Sequence, residues 1–187
     1  PTGAVATAAF YEELVAWAKK YEVGVVSDFA YGALGADGYE NPSFLSTPGA
    51  KDVGIELYTF SKTFNMAGWR LAFAAGNEQL IEALNLLQDH LFVSIFPAIQ
   101  DAGATALLDE KAKAAIAGLN QKYDERRHAF VQAAEKIGWH AFESKGAFYA
   151  WMPVPEGYDS ESFADLLLNE AHVAVSPGKA FGEQGDG

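Results

Sequence analysis

Three short apolar runs, each stopped by polar or turn-forming residues, constrain this chain more than any other feature. Residues 23–27 end at Asp28, residues 55–60 at Ser61-Lys62, and residues 71–75 at Gly76-Asn77. Runs of that length with little polar alternation suit strands covered on both faces, as in a sheet flanked by helices. Helical patterns flank them. Residues 8–21 carry Phe10, Leu14, Trp17 and Tyr21 at helical spacing, with Glu12 and Glu13 early and Lys19 and Lys20 late, matching the helix dipole. Residues 78–91 align Ile81, Leu84, Leu87 and Leu91 before a break near Pro97. A short helix is predicted over 98–108 and a long one over 111–137. The long helix has Ile116, Leu119, Tyr123, Phe130 and Ile137 in one stripe and Gly138 as its stop.

Beyond Gly138 the pattern changes. Residues 139–142 and 147–152 read as a hairpin, Ser160 as the cap of a helix running to Ala171, and 173–176 as a returning strand. A domain change is therefore predicted inside the long helix, near residue 120, giving parts 1–120 and 121–187. The stretch from Ala30 to Gly54 is rich in Gly and Pro. If the strands on either side of it are parallel neighbours, their crossover is an irregular one.

Composition excludes several functions. A net charge of -12 argues against nucleic acid or an anionic membrane as a partner. The absence of cysteine rules out disulfides, thiolate metal sites and cysteine nucleophiles. His90, His128, His140 and His172 are dispersed without metal-ligand spacing, so no metal site is expected. No apolar run approaches the ~20 residues that span a bilayer. No secretory leader is seen, and a cytoplasmic protein is the expectation. The chain opens at Pro1-Thr2-Gly3 and stops within a glycine-rich stretch, so it is expected to be a piece of a longer protein.

The chemistry-bearing segment runs from Thr59 to Arg70, TFSKTFNMAGWR. A lysine directly after a buried strand, flanked by hydroxyls and followed eight residues later by an arginine, can bind an anion and form an imine. Thr59, Ser61 and Arg70 could hold a phosphate beside Lys62. On spacing alone, most Ser-Lys pairs are surface residues and most single arginines are solvated. Asp28 ends the first strand, where open α/β sheets place ligands, with Tyr31 three residues on. Taken alone, an aspartate there more often caps the next turn, and the tyrosine more often packs its ring with the hydroxyl at the surface. Those readings weaken if Asp28 and Lys62 project from the same edge of one sheet.

The order and spacing of Pro1-Thr2-Gly3, Asp28-x-x-Tyr31, Ser61-Lys62 and Gly68-Trp69-Arg70 resemble class I/II aminotransferases of pyridoxal-phosphate fold type I. The later GAFYAW at 146–151 and VAVSPG at 173–178 resemble that family's small domain. Thr59 departs from the more usual serine or glycine but keeps a hydroxyl. The resemblance implies an α/β fold: the C-terminal part of a large cofactor-binding domain with a mostly parallel sheet over 1–120, then a small α+β domain over 121–187.

It also implies roles. Lys62 would hold pyridoxal 5'-phosphate as a Schiff base and later shuttle the substrate's α-proton. Asp28 would keep the pyridinium nitrogen protonated, Tyr31 would hydrogen-bond the ring oxygen, and Thr59, Ser61 and Arg70 would hold the phosphate. Phe148 would border the substrate pocket, although an aromatic in a hairpin is more often core.

The implied reaction transfers an amino group from an L-amino acid to a 2-oxo acid, in a homodimer of the full-length protein. The residues most resemble the branch of LL-diaminopimelate, alanine and methionine aminotransferases. The family's asparagine before Pro1 and its carboxylate-binding arginine fall outside the chain, so the piece alone is expected not to turn over. A C–S β-lyase and a non-catalytic regulatory domain on the same scaffold are the rival readings.

Overall fold

Three strands form one sheet in the order β1 (Val25–Asp28), β2 (Gly54–Thr59), β3 (Ala72–Gly76), in a computed structural model that describes all 187 residues. β1 and β2 run parallel, with Val25 opposite Gly54 and Asp28 opposite Leu57, so both release the chain at the same edge. β3 runs antiparallel to β2, with Thr59 opposite Ala72. The sheet is therefore mixed, which corrects the expectation of a mostly parallel one. The reason lies in the β2–β3 connection. Residues 60–71 make one helical turn at Phe60–Thr63 and a 3-10 turn at Ala67–Trp69, with no crossover helix to carry the chain back.

The helix before β1, α1 (Ala8–Tyr21), starts where the Thr7 hydroxyl accepts from the Phe10 amide at 3.1 Å, and ends with Lys19 and Lys20 in its last turn. Its packed face holds Tyr11, Leu14 and Val15, gathered around Phe44 and Ala50, and the fully buried Ala18. Phe10, Trp17 and Tyr21 are about half exposed. α1 carries two apolar stripes, and periodicity cannot say which one meets the rest of the fold. The small Ala18 lets the helix approach closely, and that side is buried.

The β1–β2 crossover is as irregular as its glycines and prolines suggest. It holds a 3-10 turn at Phe44–Ser46 and one turn of helix, α2 (Ala50–Val53). Its anchor is Glu56, a nearly buried side chain in the middle of β2. Glu56 accepts from the Phe44 amide and the Ser43 hydroxyl, both at 2.7 Å, and from Ser27 on β1 at 3.4 Å. Phe44 is thereby held fully buried beneath α1. Gly54 completes the join: a Cβ there would lie 2.5 Å from the Val25 carbonyl oxygen and 2.8 Å from the Phe44 ring.

After β2 come α3 (Phe60–Thr63), β3, α4 (Glu78–Leu91), α5 (Pro97–Leu108), α6 (Glu110–Glu135) and α7 (Ser160–Ala171). The Asn77 side-chain oxygen accepts from the Leu80 amide to start α4, and its Nδ2 donates to the Lys51 and Asp52 carbonyls. Pro97 opens α5, where its missing N–H costs nothing. No helix is long and apolar enough to cross a membrane.

The chain divides into two compact units. The larger is Val5–Glu125 with Lys145–Phe148; the smaller is Pro1–Ala4, Arg126–Ser144 and Tyr149–Gly187. The division along the helix falls between Glu125 and Arg126, and the return of 145–148 to the larger unit was not foreseen. The smaller unit holds no sheet, contrary to the expected α+β arrangement. Between the arms of the predicted hairpin the Phe142 amide donates to the Trp151 carbonyl at 2.9 Å, but neither arm is a strand, and 173–176 joins no ladder. An extended apolar run becomes a strand only when a neighbour presents its own amides and carbonyls in register. Here the tip of the predicted hairpin pairs elsewhere, Gly146 bridging to Gly35 in the larger unit.

Asp159, not Ser160, caps α7. It accepts from the Ser162 amide at 2.8 Å while its own amide donates to the Ser162 hydroxyl at 3.2 Å. The hydrogen bonds from Ser162, side chain first and then backbone, hold the Asp159 carboxyl below its ordinary value of 3.8.

Two predictions follow from these contacts. Glu56→Ala leaves the Phe44 amide and two hydroxyls without their shared acceptor and is expected to cost about 3 kcal/mol in urea unfolding, with Glu56→Gln costing less. A lowered carboxylate pKa stabilises the fold above its unfolded value, and that contribution is lost as pH falls through the folded value. The stability difference between the wild type and Asp159→Ala should therefore shrink as the pH is lowered below about 4, the range where a free aspartate titrates. Unfolding followed by circular dichroism across that range checks it.

Candidate functional site

The parallel register of β1 and β2 puts their carboxyl ends side by side, and both chemistry-bearing segments begin there. Asp28 is the last residue of β1 and is exposed. Its Oδ1 accepts from the Ala30 amide at 3.3 Å, so it does cap the following turn, at a position that also faces the open edge of the sheet. Lys62 lies in α3, the single helical turn entered directly from β2. Thr59 caps that turn by accepting from the Ser61 amide at 3.2 Å. The Thr59 hydroxyl also lies 3.0 Å from Ser61 Oγ and 3.3 Å from the Leu71 carbonyl oxygen, and its one proton can serve either.

Lys62 is half-buried, and its ammonium nitrogen stands 5.8 Å from the ring centroids of both Tyr31 and Phe148. Those two rings meet edge to face, with centroids 5.4 Å apart. The structure thus brings together Lys62, Tyr31 and Phe148, and it pairs Thr59 with Ser61. Arg70 is different. It is exposed, with its backbone in the left-handed region (φ 53), and its guanidinium donates to the Ala67 carbonyl at 3.0 Å. It makes no hydrogen bond to Thr59 or Ser61. Nearby on β2, Tyr58 stacks on Phe73 at 5.2 Å, and burial pushes its hydroxyl above the ordinary value of 10.0.

Sequence reasoning missed Asn41. Its side-chain amide donates to the Tyr31 and Gly32 carbonyls, at 3.2 and 3.1 Å, fixing the loop that carries Tyr31. Nothing in its local sequence marks it apart from other loop asparagines. Tyr123 was read only as part of a helical stripe, yet its ring stacks on Phe148 with centroids 5.1 Å apart.

A primary amine against an aromatic corner, a carboxylate on the adjoining strand end, a phenol and two hydroxyls form a donor set suited to a phosphorylated aldehyde with a basic ring nitrogen. The fold and the site thus define an α/β chain built around a strand-end lysine. Residues 1–187 match the family aminotransferase class I and II, and the chain belongs to it. Over its whole length it is 56% identical to the L-glutamine–4-(methylsulfanyl)-2-oxobutanoate aminotransferase of Bacillus subtilis (strain 168), covering 46% of that protein. It is 43% identical to the LL-diaminopimelate aminotransferase of Moorella thermoacetica, covering 47%. Substrate-bound BacF from Bacillus subtilis superposes with a TM-score of 0.95 at 47% identity, over 100% of this chain and 47% of that one. The chain spans about half the length of the curated relatives it matches. Class I and II aminotransferases are pyridoxal-phosphate enzymes, and the donor set at Lys62 fits that cofactor.

Thr59→Val removes both the cap of α3 and the hydroxyl facing Ser61. It is expected to cost about 1 kcal/mol of stability in urea unfolding, with Thr59→Ser close to wild type.

Proposed function

We propose that the protein carrying this chain is a pyridoxal-phosphate transaminase that moves an amino group from an L-amino acid to a 2-oxo acid. The observation that carries this is the Lys62 amine held against the Tyr31–Phe148 corner, at the sheet edge where Asp28 also ends its strand. When bound, the cofactor supplies an electron sink for the substrate's α-carbon. Lys62 would anchor the cofactor and would hold and move the proton at the substrate's α-carbon. Asp28 would keep the ring nitrogen protonated, and Tyr31 would hydrogen-bond the ring oxygen. Thr59 and Ser61 offer hydroxyls to the phosphate, and Arg70 joins them by turning from the Ala67 carbonyl or by using its other N–H groups.

The proposal extends to the longer protein. Residues 1–120 would supply the second half of the large domain and 121–187 part of the small one, in a cytoplasmic homodimer. Support comes from the apolar side chains of Leu87, Leu91, Phe92, Val93 and Phe96, which stand exposed on and after α4. An apolar surface of that kind calls for a covering partner or a further part of the chain. Among its relatives, one is named for L-glutamine and 4-(methylsulfanyl)-2-oxobutanoate and another for LL-diaminopimelate. For this protein the substrate is proposed only as an L-amino acid.

The test is to incubate the protein, at the length of its relatives, with pyridoxal phosphate, reduce it with borohydride and map the modified peptide. A yellow protein labelled at Lys62 is the expected result. Lys62→Ala should abolish the label and lower amino transfer by about 10²–10⁴-fold or more, as expected for loss of a group that also moves the proton. A colourless wild type, or a label confined to other lysines, would sink the reading.

A further inference from the structure

We propose that Tyr123 is a positioning residue for the Lys62 amine, acting through Phe148; the proposal rests on Lys62 being the reactive lysine. A lysine side chain is a flexible four-carbon stem, and its nitrogen has a defined place only if something rigid stands beside it. Here that object is the corner of two rings, Tyr31 and Phe148, each 5.8 Å from the nitrogen. A ring corner is rigid only as far as its own rings are held. Phe148 is held by Tyr123, whose ring lies nearly parallel to it, at 29° and a centroid distance of 5.1 Å.

The segments that carry these rings are far apart in sequence and are fastened to one another. Tyr31 sits in the loop after β1, and Asn41 donates to its carbonyl and to that of Gly32. Residues 145–148 attach to the same loop through Ala36 N–H to the Lys145 carbonyl at 3.0 Å and Ala147 N–H to the Leu34 carbonyl at 2.8 Å. Ala147 takes a left-handed conformation (φ 61), unusual for a residue with a Cβ, immediately before the side chain it aims. On α6, residues on both sides of Tyr123 grip the loop as well. Asn120 donates to the Ala33 carbonyl at 2.8 Å, and Asp124 accepts from the Asp37 amide at 3.1 Å. The register of α6 against the loop is thus set by hydrogen bonds, and that register delivers the Tyr123 ring to Phe148. Tyr123 stacks on Phe148, and Phe148 stands beside the Lys62 nitrogen, so the effect passes through that ring.

The experiment compares wild type, Tyr123→Phe, Tyr123→Leu and Tyr123→Ala in two measurements. The first follows the ring-current displacement of the Lys62 Cε protons in cofactor-free protein carrying labelled lysine, assigned with Lys62→Arg. The second is the rate of borohydride-trapped attachment of pyridoxal phosphate at Lys62. Tyr123→Phe should keep both wild-type values. Tyr123→Ala should bring the Lys62 signal toward that of a free lysine and slow trapping about tenfold or more, the scale of loss for a reacting group displaced by a fraction of an ångström to an ångström. Tyr123→Leu keeps apolar bulk without the ring and should behave like the alanine variant, which covers the case in which alanine prevents folding. An unchanged Lys62 signal, or unchanged trapping at Lys62, in a folded ring-less variant overturns the proposal. If the signal shifts as expected but even the wild type does not trap at Lys62, the positioning stands and the transaminase reading falls.

Discussion

The buried carboxyl group of Glu56 ties together the parts of the fold on which the site depends. It accepts hydrogen bonds from β1 through Ser27 and from the crossover through Ser43 and Phe44, while being itself a residue of β2. A parallel strand pair needs its crossover to return over the sheet, and a crossover without a long helix has little periodic structure of its own to hold it there. The carboxyl group supplies that hold at a point where water is largely excluded. Phe44, fixed by its amide, then becomes the centre around which Tyr11, Leu14 and Val15 of α1 pack.

Because β1 and β2 are parallel, everything that leaves their carboxyl ends emerges on one edge. Asp28, the loop of Tyr31 and the turn of Lys62 are neighbours for that reason alone. The third strand contributes differently. Running antiparallel, it brings its start, Ala72, opposite Thr59, so the segment containing Arg70 also begins from that edge. Arg70 is nonetheless turned onto Ala67, and the polar cluster that the structure forms at the turn is the Thr59–Ser61 pair.

The aromatic corner at Lys62 has a less local origin. Tyr31, Phe148 and Tyr123 come from a loop, a four-residue segment and a long helix, and main-chain or amide hydrogen bonds join each of these to the same loop. The segment 145–148 was expected as the middle of a hairpin. It serves the larger unit because its backbone pairs with the loop there, Gly146 bridging to Gly35 while Lys145 and Ala147 bond to Ala36 and Leu34.

Much of this was legible in the chain. The strand runs ending at Asp28 and just before Lys62, and the helix over 8–21 with its basic last turn, follow from local apolar patterns, dipoles and caps, which act within a few residues; the cover expected on both faces of the first run is absent, Val26 being 62% exposed. The place of Lys62 at a strand end between hydroxyls was legible for the same reason. The direction of β3, the choice between the two stripes of α1, the absence of a ladder at 173–176, the turn of Arg70 and the stacking of Tyr123 on Phe148 were not. Each depends on which distant backbone or ring stands opposite, and a periodic pattern records only that a residue wants a partner. Tertiary packing selects the partner, because only there do distant hydrogen-bonding groups and ring faces compete for the same space.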